Sequence, residues 1–520
     1  MRMALATKRP NRQQISGVQS YPAPVGGWNA RDALAAMKPT DAVRLINWFP
    51  RTTDCVIRGG RDEYATTMSG DIETLAVHNG LSGTNKMFAS SDAGLWDVSS
   101  AGAGSAVVAT VTNGRWQWTN MGDGTSAWLM MFNGVDKPLY YNGTAWTEVD
   151  AVSTPALTGV TSTTLIAPMV YQGRLFLIQK DTLSVWYLAA GAVGGALTEF
   201  DFSSLCKQGG YLMAHATWTF DGGDGPDDYA VFVTSEGEVL IYRGTNPSSA
   251  STWVKVGTYF LGKPIGRRCL TPYGGDLVLI TQNGAFPLSQ ALQSAAIDYR
   301  TALTNKIENA FNDASRSYFS NFGWEGTVFP AQSAFLFNIP TAEGVTAEQY
   351  VMNTITKAWC RFNSWNANTF VVFNGELYFG GDAIVDKAWT GRADGDSNIL
   401  ADGKTAFSYF GSQTQEKNFK LFRPVLAVNG PLSFLTGLDV DFGDSNIEGS
   451  ATYSVTSGAQ WDVSLWDDAY WASNLEIIKE WTSPQKNVGY SAAGKVKIAT
   501  NALEVQWIAN DFVYEKGGVI

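Results

Sequence analysis

Residues 369–381 read T-F-V-V-F-N-G-E-L-Y-F-G-G, two short apolar runs on either side of Asn374-Gly375. Asn-Gly is the pair that best tolerates the positive φ angles of a type I′ turn, so this stretch predicts a β-hairpin. Similar sequences recur earlier in the chain, and we interpret them as one repeated hairpin. They are V-H-N-G at 77–80, M-F-N-G at 131–134, V-Y-Q-G-R-L-F-L at 170–177, S-E-G-E-V-L-I-Y at 235–242 and Y-G-G-D-L-V-L-I at 273–280.

A second repeat is formed by tryptophans that follow turns: Trp146 in G-T-A-W-T-E-V, Trp253 in S-T-W-V-K-V and Trp359 in K-A-W-C-R-F. Their spacing is 107 residues (253 minus 146) and then 106 (359 minus 253). This is about twice the 40–50-residue period of β-propeller blades. Stacked β-sandwiches are the alternative, because strand-end tryptophans cover sheet edges in many β proteins. The regular spacing favours the propeller.

Composition indicates a globular protein with broad contact surfaces. Of the 520 residues, 45% are hydrophobic, 13% are aromatic and only 16% are charged, against about 25% charged in average soluble domains. We therefore expect protein partners. The formal net charge of −11 argues against tight wrapping of nucleic acid through phosphate neutralisation. An acidic wall would instead repel phosphates and let a strand slide past.

The four cysteines, Cys55, Cys206, Cys269 and Cys360, are far apart and lack C-x-x-C spacing. This predicts packed, reduced thiols rather than a zinc site or a disulfide framework. No signal peptide and no run of about 18 apolar residues is recognisable. The sequence therefore predicts a protein that is made in the cytoplasm and has no membrane span.

Changes in turn pattern divide the chain into three predicted parts. Residues 1–60 are predicted to be an extended N-terminal arm and linker, in which D-A-V-R-L-I at 41–46 forms a short helical turn. Residues 61–410 are predicted to form the propeller. Apolar residues at helical spacing predict a helical insertion at 287–319. Longer strand patterns predict a C-terminal β-sandwich at 411–520.

Few residues carry a recognisable chemical motif. His78 and His215 lie in apolar strands with no metal-ligand partner nearby, which favours a structural role. No G-x-S-x-G, phosphate-binding loop or H-E-x-x-H motif is present. Asp394, Asp396 and Asn398 resemble the start of an EF-hand, but Ile399 stands where glycine is required. We therefore predict no catalytic, cofactor-binding or metal site, and no enzymatic activity.

Three further stretches match a known motif only in part. They are S-S-D-A-G-L-W at 90–96, one residue short of a sialidase Asp-box; G-A-G-S-A-V at 102–107; and G-G-D-G-P-D-D-Y-A at 222–230. The first is predicted to be a structural turn and the last an ordinary acidic loop, and the middle one lacks the strand-loop-helix unit of a dinucleotide-binding site. A glycoside hydrolase on this fold would need two carboxylates about 5–10 Å apart. The sequence contains many acids but pairs none of them.

Several segments resemble a known family. The segment at 27–50, G-W-N-A-R-D-A-L-A-A-M-K-P-T-D-A-V-R-L-I-N-W-F-P, with V-I-R-G-G at 56–60, resembles the N-terminal signature of tail nozzle proteins of short-tailed bacteriophages. These are also called tail tubular or packaged-DNA stabilisation proteins. F-P-L-S-Q-A-L at 286–292, T-N-K-I at 304–307 and V-Y-E-K-G-G-V at 513–519 are similar to the same family.

The resemblance implies a structural virion protein without catalytic residues. It implies a β-propeller subunit that forms a ring, with six copies expected, below the portal and tail adaptor of the virion. Such a ring closes the channel over packaged double-stranded DNA, carries tail fibres or spikes, and becomes the conduit at ejection. The alternative function is a receptor-binding or glycan-cleaving propeller.

Trp28, Trp48 and Phe49 are the candidate interface residues, because large aromatic side chains dominate interface hot spots. The other interpretation is that they staple the N-terminal segment to the chain's own core.

Overall fold

The computed structural model describes residues 16–81, 83–221, 226–291, 299–447, 475–484 and 487–517. The chain divides into two compact units. Arg58–Ser397 forms the first, here called the propeller unit. The second, the sandwich unit, combines Met1–Ile57 with Asn398–Ile520. None of the helices among the described residues is long and apolar enough to cross a bilayer.

Seven sheets of the propeller unit form a closed circle, and the described strands Leu157–Thr158 and Gly195–Ala196 form a separate two-stranded sheet. The short strand Gly102–Ala103 pairs with Gly60–Thr66. In the circle, the first strand of each sheet contacts the first strand of the next, and the seventh returns to the first. This arrangement is a β-propeller and confirms the predicted fold. Blade 1 contains Thr74–His78, Lys86–Ser91, Gly94–Asp97 and Ser105–Val108, and blade 2 contains Gln117–Gly122, Ala127–Phe132, Leu139–Tyr141 and Trp146–Glu148. Blade 3 contains Leu165–Tyr171, Arg174–Gln179, Ser184–Tyr187 and Thr198–Asp201, and blade 4 contains Leu212–Asp221, Pro226–Thr234, Glu238–Gly244 and Trp253–Phe260. Blade 5 contains Leu270–Tyr273, Asp276–Thr281 and Gly284–Pro287. Blade 6 contains Glu325–Phe329, Ala334–Ala342, Thr346–Asn353 and Trp359–Phe362, and blade 7 contains Thr369–Phe373, Glu376–Gly380, Val385–Thr390 and Gly60–Thr66.

The tryptophan spacing reflects the blade period. Trp146, Trp253 and Trp359 each begin the outermost strand of blades 2, 4 and 6. Two blades therefore separate successive members of the series, as the sequence predicts.

The turn repeat is less uniform than predicted. Asn374 and Gly375 have φ angles of 50° and 83° and join the first two strands of blade 7, which confirms that hairpin. Gly173 lies at the same place in blade 3. Gly134 and Gly237, however, lie between the second and third strands of blades 2 and 4. The shared sequence therefore marks two different turns, because both need a residue with positive φ.

The ring is closed by the start and the end of the propeller sequence. Strand Gly60–Thr66 pairs with Val385–Thr390 as the outermost strand of blade 7. Just before it, the Arg58 guanidinium donates to both Asp394 carboxylate oxygens at 2.8 and 2.7 Å. A Cβ at Gly60 would lie 1.7 Å from the carbonyl oxygen of Ala393. The R-G-G sequence thus combines a bidentate ion pair with a close backbone approach.

The predicted helical insertion follows the third strand of blade 5. Its described helices are Leu288–Ala291, Tyr299–Thr301, Leu303–Ile307 and Glu308–Tyr318, and short 3-10 turns occur elsewhere at Ser162–Thr164 and Pro330–Gln332. Phe311 is fully buried and lies edge-on to Trp324, with ring centroids 6.0 Å apart. The insertion thereby covers blades 5 and 6, and its prediction is confirmed for the described residues.

The sandwich unit consists of two packed sheets. Strands of the first sheet are Ser16–Pro22, Trp48–Pro50, Cys55–Ile57, Lys417–Val428, Glu476–Ile478, Val488–Gly489 and Val505–Lys516. Strands of the second are Gly27–Trp28, Asp41–Ile46, Ile399–Thr405, Phe434–Val440 and Ala492–Thr500. Phe422 and Phe512 of the first sheet share one buried cluster with Leu438 and Ala492 of the second. The C-terminal β-sandwich is therefore present.

The structure differs from the predicted division of the chain in the N-terminal segment. Ser16–Pro22 pairs with Val505–Lys516 along its whole length, so these residues are part of the sandwich rather than of a separate arm. Asp41–Ile46 is a strand paired with Ile399–Thr405, not a helical turn. Pairing between segments several hundred residues apart overrides weak local helical preference. The aromatic segment at 461–471 lies outside the described residues.

Candidate functional site: the propeller channel and its mouth

The channel of the propeller is lined by the first strands of the seven blades and contains a cavity of about 270 Å³. One lining residue from each blade, in order, is Thr74, Gln117, Ala167, His215, Thr271, Glu325 and Thr369. This volume is typical of a small-molecule pocket. Duplex DNA, whose major groove alone is about 12 Å wide, cannot fit into a cavity of this volume.

Arg268 crosses the channel at the end where the first strands begin. It comes from the segment before blade 5, and its Nη2 donates to Thr74 Oγ1 and to the Glu73 carbonyl oxygen, both at 2.8 Å. Its Nη1 pairs with Glu325 Oε2 at 3.2 Å. Because these partners belong to blades 1 and 6, one side chain ties together walls on different sides of the bore.

Glu325 is the carboxylate of this crossing. Besides Arg268, it accepts hydrogen bonds from the Phe370 backbone N–H and from Thr369 Oγ1, the latter at 3.4 Å. Burial raises the pKa of Glu325, and the neighbouring Arg268 opposes this rise without cancelling it. The carboxylate therefore serves as a joint between blades 5, 6 and 7.

The guanidinium groups of Arg268 and Arg115 both lie within cation–π distance of one aromatic ring, that of Phe322. The Phe322 ring centroid is 4.4 Å from the Arg115 guanidinium carbon and 4.9 Å from that of Arg268. Arg115 is held from behind by Glu73 at 2.8 Å and by Glu343 at 2.7 Å. Glu343 also accepts from the Phe322 N–H at 2.8 Å. Cation–π contacts and ion pairs together fix the loop of blade 6 over the channel.

Beside these three side chains lies a second cavity of about 290 Å³, here called the mouth pocket. Its lining contains four cationic side chains and none that is acidic. The cations are Arg115, Lys180, Arg267 and Arg268, and the remaining lining residues are Asn113, Gln117, Asn133, Ile166, Gly266, Phe319, Ser320, Asn321, Phe322, Gly323 and Trp324. The carboxylates that pair with the arginines are not among the lining residues, so the formal charge of the lining is positive.

The two histidines have structural surroundings. His215 lies in the channel wall, where its Nε2 contacts the carbonyl oxygen of Ala167. Burial lowers the pKa of His215 to about 4, so it is neutral at physiological pH. His78 is buried, its Nε2 lies 3.0 Å from the Ala127 carbonyl oxygen, and its ring packs edge-on to Tyr141.

The chemistry available in the channel is limited. Glu325 is the one carboxylate among the residues lining the 270 Å³ cavity, whereas glycoside hydrolysis uses two. Groups of three or more metal-ligating side chains are absent from the part of the chain that the structure describes. The arrangement is suited to holding blades together at the channel and to binding an anion at its mouth.

The candidate interface residues lie inside the sandwich unit. Trp48 is fully buried, Phe49 is 4% exposed and Trp28 is 9% exposed. The rings of Trp48 and Trp507 are 5.4 Å apart. These positions correspond to the second interpretation, in which the residues pack against the chain's own core. An interface role for them stays a prediction about the assembled particle.

The other sequence motifs also have structural positions. Asp394 is occupied by Arg58, so it is not free to start a cation site. Residues 90–96 contain the turn between the second and third strands of blade 1 and the strand ends on either side of it. Residues 222–225 lie outside the described chain, and 226–230 belong to strand Pro226–Thr234 rather than to the predicted loop. Cys55, Cys269 and Cys360 are buried, Cys206 is half-buried, and all four are thiols rather than disulfides. Burial raises the pKa of Cys206 to about 11 and that of Cys269 to about 12.

Sequence reasoning missed the charged residues of the channel. Arg267 and Arg268 stand three and two residues before the inner strand Leu270–Tyr273, and Glu325 begins the inner strand Glu325–Phe329. The local signal is an R-R pair directly ahead of a strand, which alone does not distinguish a channel from a solvated turn. Arg115 carries the same weak signal in blade 2.

No protein-family model and no curated protein sequence matches this chain. Among solved structures, BBS1N in complex with ARL6DN is similar at 11% identity and a TM-score of 0.38, covering 65% of this chain and 99% of that chain. The Neurospora crassa Pan2 WD40 domain is similar at 9% identity and a TM-score of 0.38, covering 64% and 97%. An exo-β-1,3-galactanase from Phanerochaete chrysosporium is similar at 7% identity and a TM-score of 0.26, covering 76% and 95%. At such scores these likenesses carry no functional argument.

Proposed function

We propose that the chain is a structural tail protein of a short-tailed bacteriophage, a nozzle subunit that forms a ring below the tail adaptor. In this role it retains packaged DNA, carries fibres or spikes, and forms part of the ejection conduit in the virion tail. The proposal starts from the resemblance of residues 27–50 and 56–60 to that family.

The observation that carries the proposal is that residues of the resembling segments serve as joints of the fold. Arg58 clamps the end of the propeller through Asp394. Thr304 Oγ1 accepts from the Ala285 N–H at 3.2 Å, joining the helical insertion to blade 5. The closing V-Y-E-K residues belong to strand Val505–Lys516, which pairs with Ser16–Pro22. Resembling segments whose residues make structural contacts are typical of a scaffold protein. None of the contacts named above requires a catalytic role.

The closed bore supports a ring of several copies rather than a single propeller as the conduit. Arg268 and Glu325 span the channel, and its cavity of about 270 Å³ is too small for a duplex. DNA would therefore pass through a lumen between subunits. The net charge of −11 suits a wall that repels phosphates instead of binding them.

Electron microscopy of the full chain mixed with the adaptor ring of the same virus tests this role. We expect a closed ring, with six copies, that docks on the adaptor and encloses a lumen wide enough for duplex DNA. A chain that stays monomeric in the presence of adaptor rings would contradict the proposal.

Truncation separates docking from folding in the same experiment. Residues 1–15 precede the first described strand, so we expect their deletion to leave both units folded and to weaken docking. Deletion of residues 1–22 also removes the Ser16–Pro22 strand and should destabilise the sandwich unit. If the full chain and the 1–15 deletion dock equally well, residues 1–15 are not part of the proposed interface.

A further inference from the structure

The mouth pocket contains cationic groups with unused hydrogen-bonding capacity. Arg267 directs Nη2 to Asp181 Oδ1 at 3.0 Å, while its Nη1 is buried and has no hydrogen-bond partner among the described residues. Lys180 is half-buried and forms no ion pair within the described part of the chain. A buried donor without a partner is costly, so a small shift of the Arg267 side chain that brings this nitrogen to a ligand acceptor is favourable.

Both cations come from residues that lie against neighbouring blades. The backbone carbonyl of Arg267 accepts from Gln117 Nε2 at 3.1 Å, and its guanidinium lies 5.7 Å from the Tyr211 ring centroid. The stem of Lys180 runs past Gly134, where a Cβ would lie 3.0 Å from the lysine Cδ.

The opposite wall of the pocket is aromatic. Phe319 is 51% exposed although it lines a cavity. Trp324 donates its indole N–H to the Tyr318 carbonyl oxygen at 2.8 Å and is 3% exposed, so Phe319 supplies the accessible aromatic surface. A volume of about 290 Å³ is at the small end of ligand pockets, which begin at about 300 Å³.

We propose that the mouth pocket binds a small oxyanion carried on a ring of monosaccharide size. Arg267 and Lys180 hold the oxyanion, and the ring lies against Phe319. Carboxylate and phosphate share this chemistry, because both accept from a guanidinium fork and an ammonium group. A hexuronate and a hexose phosphate are the two sources. The site belongs to the propeller unit of each copy, so its failure would leave ring formation untouched.

Calorimetric titration of the full chain tests the site with glucuronate, glucose 6-phosphate, inorganic phosphate and glucose. We expect saturable binding of at least one of the two anionic sugars, weakening as salt is added, and no binding of glucose. The anionic sugar that binds more tightly identifies the source. Saturable binding of neither anionic sugar, or equal binding of glucose, would overturn the proposal.

Variants locate the binding. Arg267→Gln and Lys180→Gln should each weaken affinity for the bound sugar at least tenfold, with unchanged circular dichroism and melting temperature. Asp181→Asn removes the ion pair but keeps the arginine; Asp181 is 61% exposed, and affinity should be equal or tighter. Lys263, 55% exposed and paired with Glu236, lies outside the pocket, so Lys263→Gln should have no effect. Affinity that survives both pocket variants would place the binding elsewhere.

The ring contact is tested separately. Phe319→Ala should weaken binding of the sugar several-fold and leave inorganic phosphate binding unchanged. Equal affinity of the wild type and the Phe319→Ala variant for the bound sugar would overturn the assigned contact between the ring and Phe319.

Discussion

Asp386 in the propeller unit and Asp439 in the sandwich unit are both almost fully buried, with 1% and 3% exposure, yet their pKa values move in opposite directions. Burial raises the pKa of Asp386 to about 6, and Arg61 opposes this rise only in part. Burial also acts to raise the pKa of Asp439. There, however, the neighbouring lysines and a serine prevail and hold the pKa below its usual value.

The difference lies in the number of donors. Asp386 Oδ2 accepts from Arg61 at 2.7 Å, while Oδ1 is buried without a hydrogen-bond partner among the described residues. Asp439 has ion pairs at 2.8 Å with both Lys404 and Lys495. Burial alone thus does not fix the charge state of a carboxylate. The surrounding donors decide whether the ion or the acid is favoured.

The largest expected effect follows from removing the carboxylate between the two lysines. Asp439→Ala leaves Lys404 and Lys495 buried, at 2% and 1% side-chain exposure, without their shared counter-ion. Breaking a buried pair from one side costs about 3–5 kcal/mol. Urea unfolding, with hydrogen exchange followed in strand Ala492–Thr500, measures the loss. Asp444→Asn is the matched control, since Asp444 is 63% exposed; a similar loss in both variants would contradict the account.

A second variant tests whether the two hydrogen bonds of an arginine stabilise a single cation–carboxylate pair more than the charge alone. Arg58→Lys keeps the charge but loses the two-pronged contact with Asp394 at 2.8 and 2.7 Å. We expect the free energy of unfolding of the propeller unit to fall by about 2–3 kcal/mol, since charged hydrogen bonds contribute about 1.5–3 kcal/mol each. Arg316→Lys, at 79% exposure, is the control. If the Arg58 variant unfolds like the wild type, the clamp does not contribute to closing the ring.

The third prediction uses the opposite pKa directions. The folded pKa of Asp386 is raised to about 6, so its favourable contribution is present below the unfolded pKa of about 3.8 and is lost as pH rises through 6. Asp386→Asn should therefore stabilise the propeller unit by about 1–2 kcal/mol at pH 7.5 and change little at pH 4. Thermal unfolding across this range measures the difference. Equal effects at both pH values would show that the burial of the charge is not the cause.

Asp439 should show the reverse dependence. Its pKa is lowered in the folded state, so its contribution is present above about pH 3.8 and is lost as pH falls through the folded pKa. The destabilisation caused by Asp439→Ala should accordingly be large near neutrality and shrink in acid. If the destabilisation grows in acid instead, the two lysines do not stabilise the ionised form of Asp439.

The smallest expected effect concerns a neutral hydrogen bond that the N-terminal strand accepts. Ser408 Oγ donates to the Tyr21 hydroxyl at 2.6 Å, and the Tyr21 ring packs edge-on to Phe410 with centroids 5.5 Å apart. Tyr21→Phe removes the hydrogen bond and keeps the ring, so we expect a loss of about 1 kcal/mol. Tyr21→Ala, which also removes the ring contact, should cost clearly more by urea unfolding. Equal losses would mean that the ring contributes nothing.

Much of the propeller could be predicted because its signals are local. The Asn374-Gly375 turn needs only neighbouring residues, and the tryptophans of blades 2, 4 and 6 repeat at a fixed interval. The channel site could not be predicted in the same way. Arg268 and Glu325 stand 57 residues apart (325 minus 268), and each meets its partner only because the ring brings blades 1, 5 and 6 together.

The sequence by itself determined the strand-and-turn pattern, the blade period, the position of the helical insertion and the acidic net charge, because these depend on neighbouring residues or on composition. Only the tertiary structure decided that Ser16–Pro22 completes the C-terminal sandwich and that Trp48 is part of a core. It also decided which carboxylates are met by one donor and which by several. Strand pairing and buried charge join residues far apart in the chain, and their energies depend on distances that no local pattern contains.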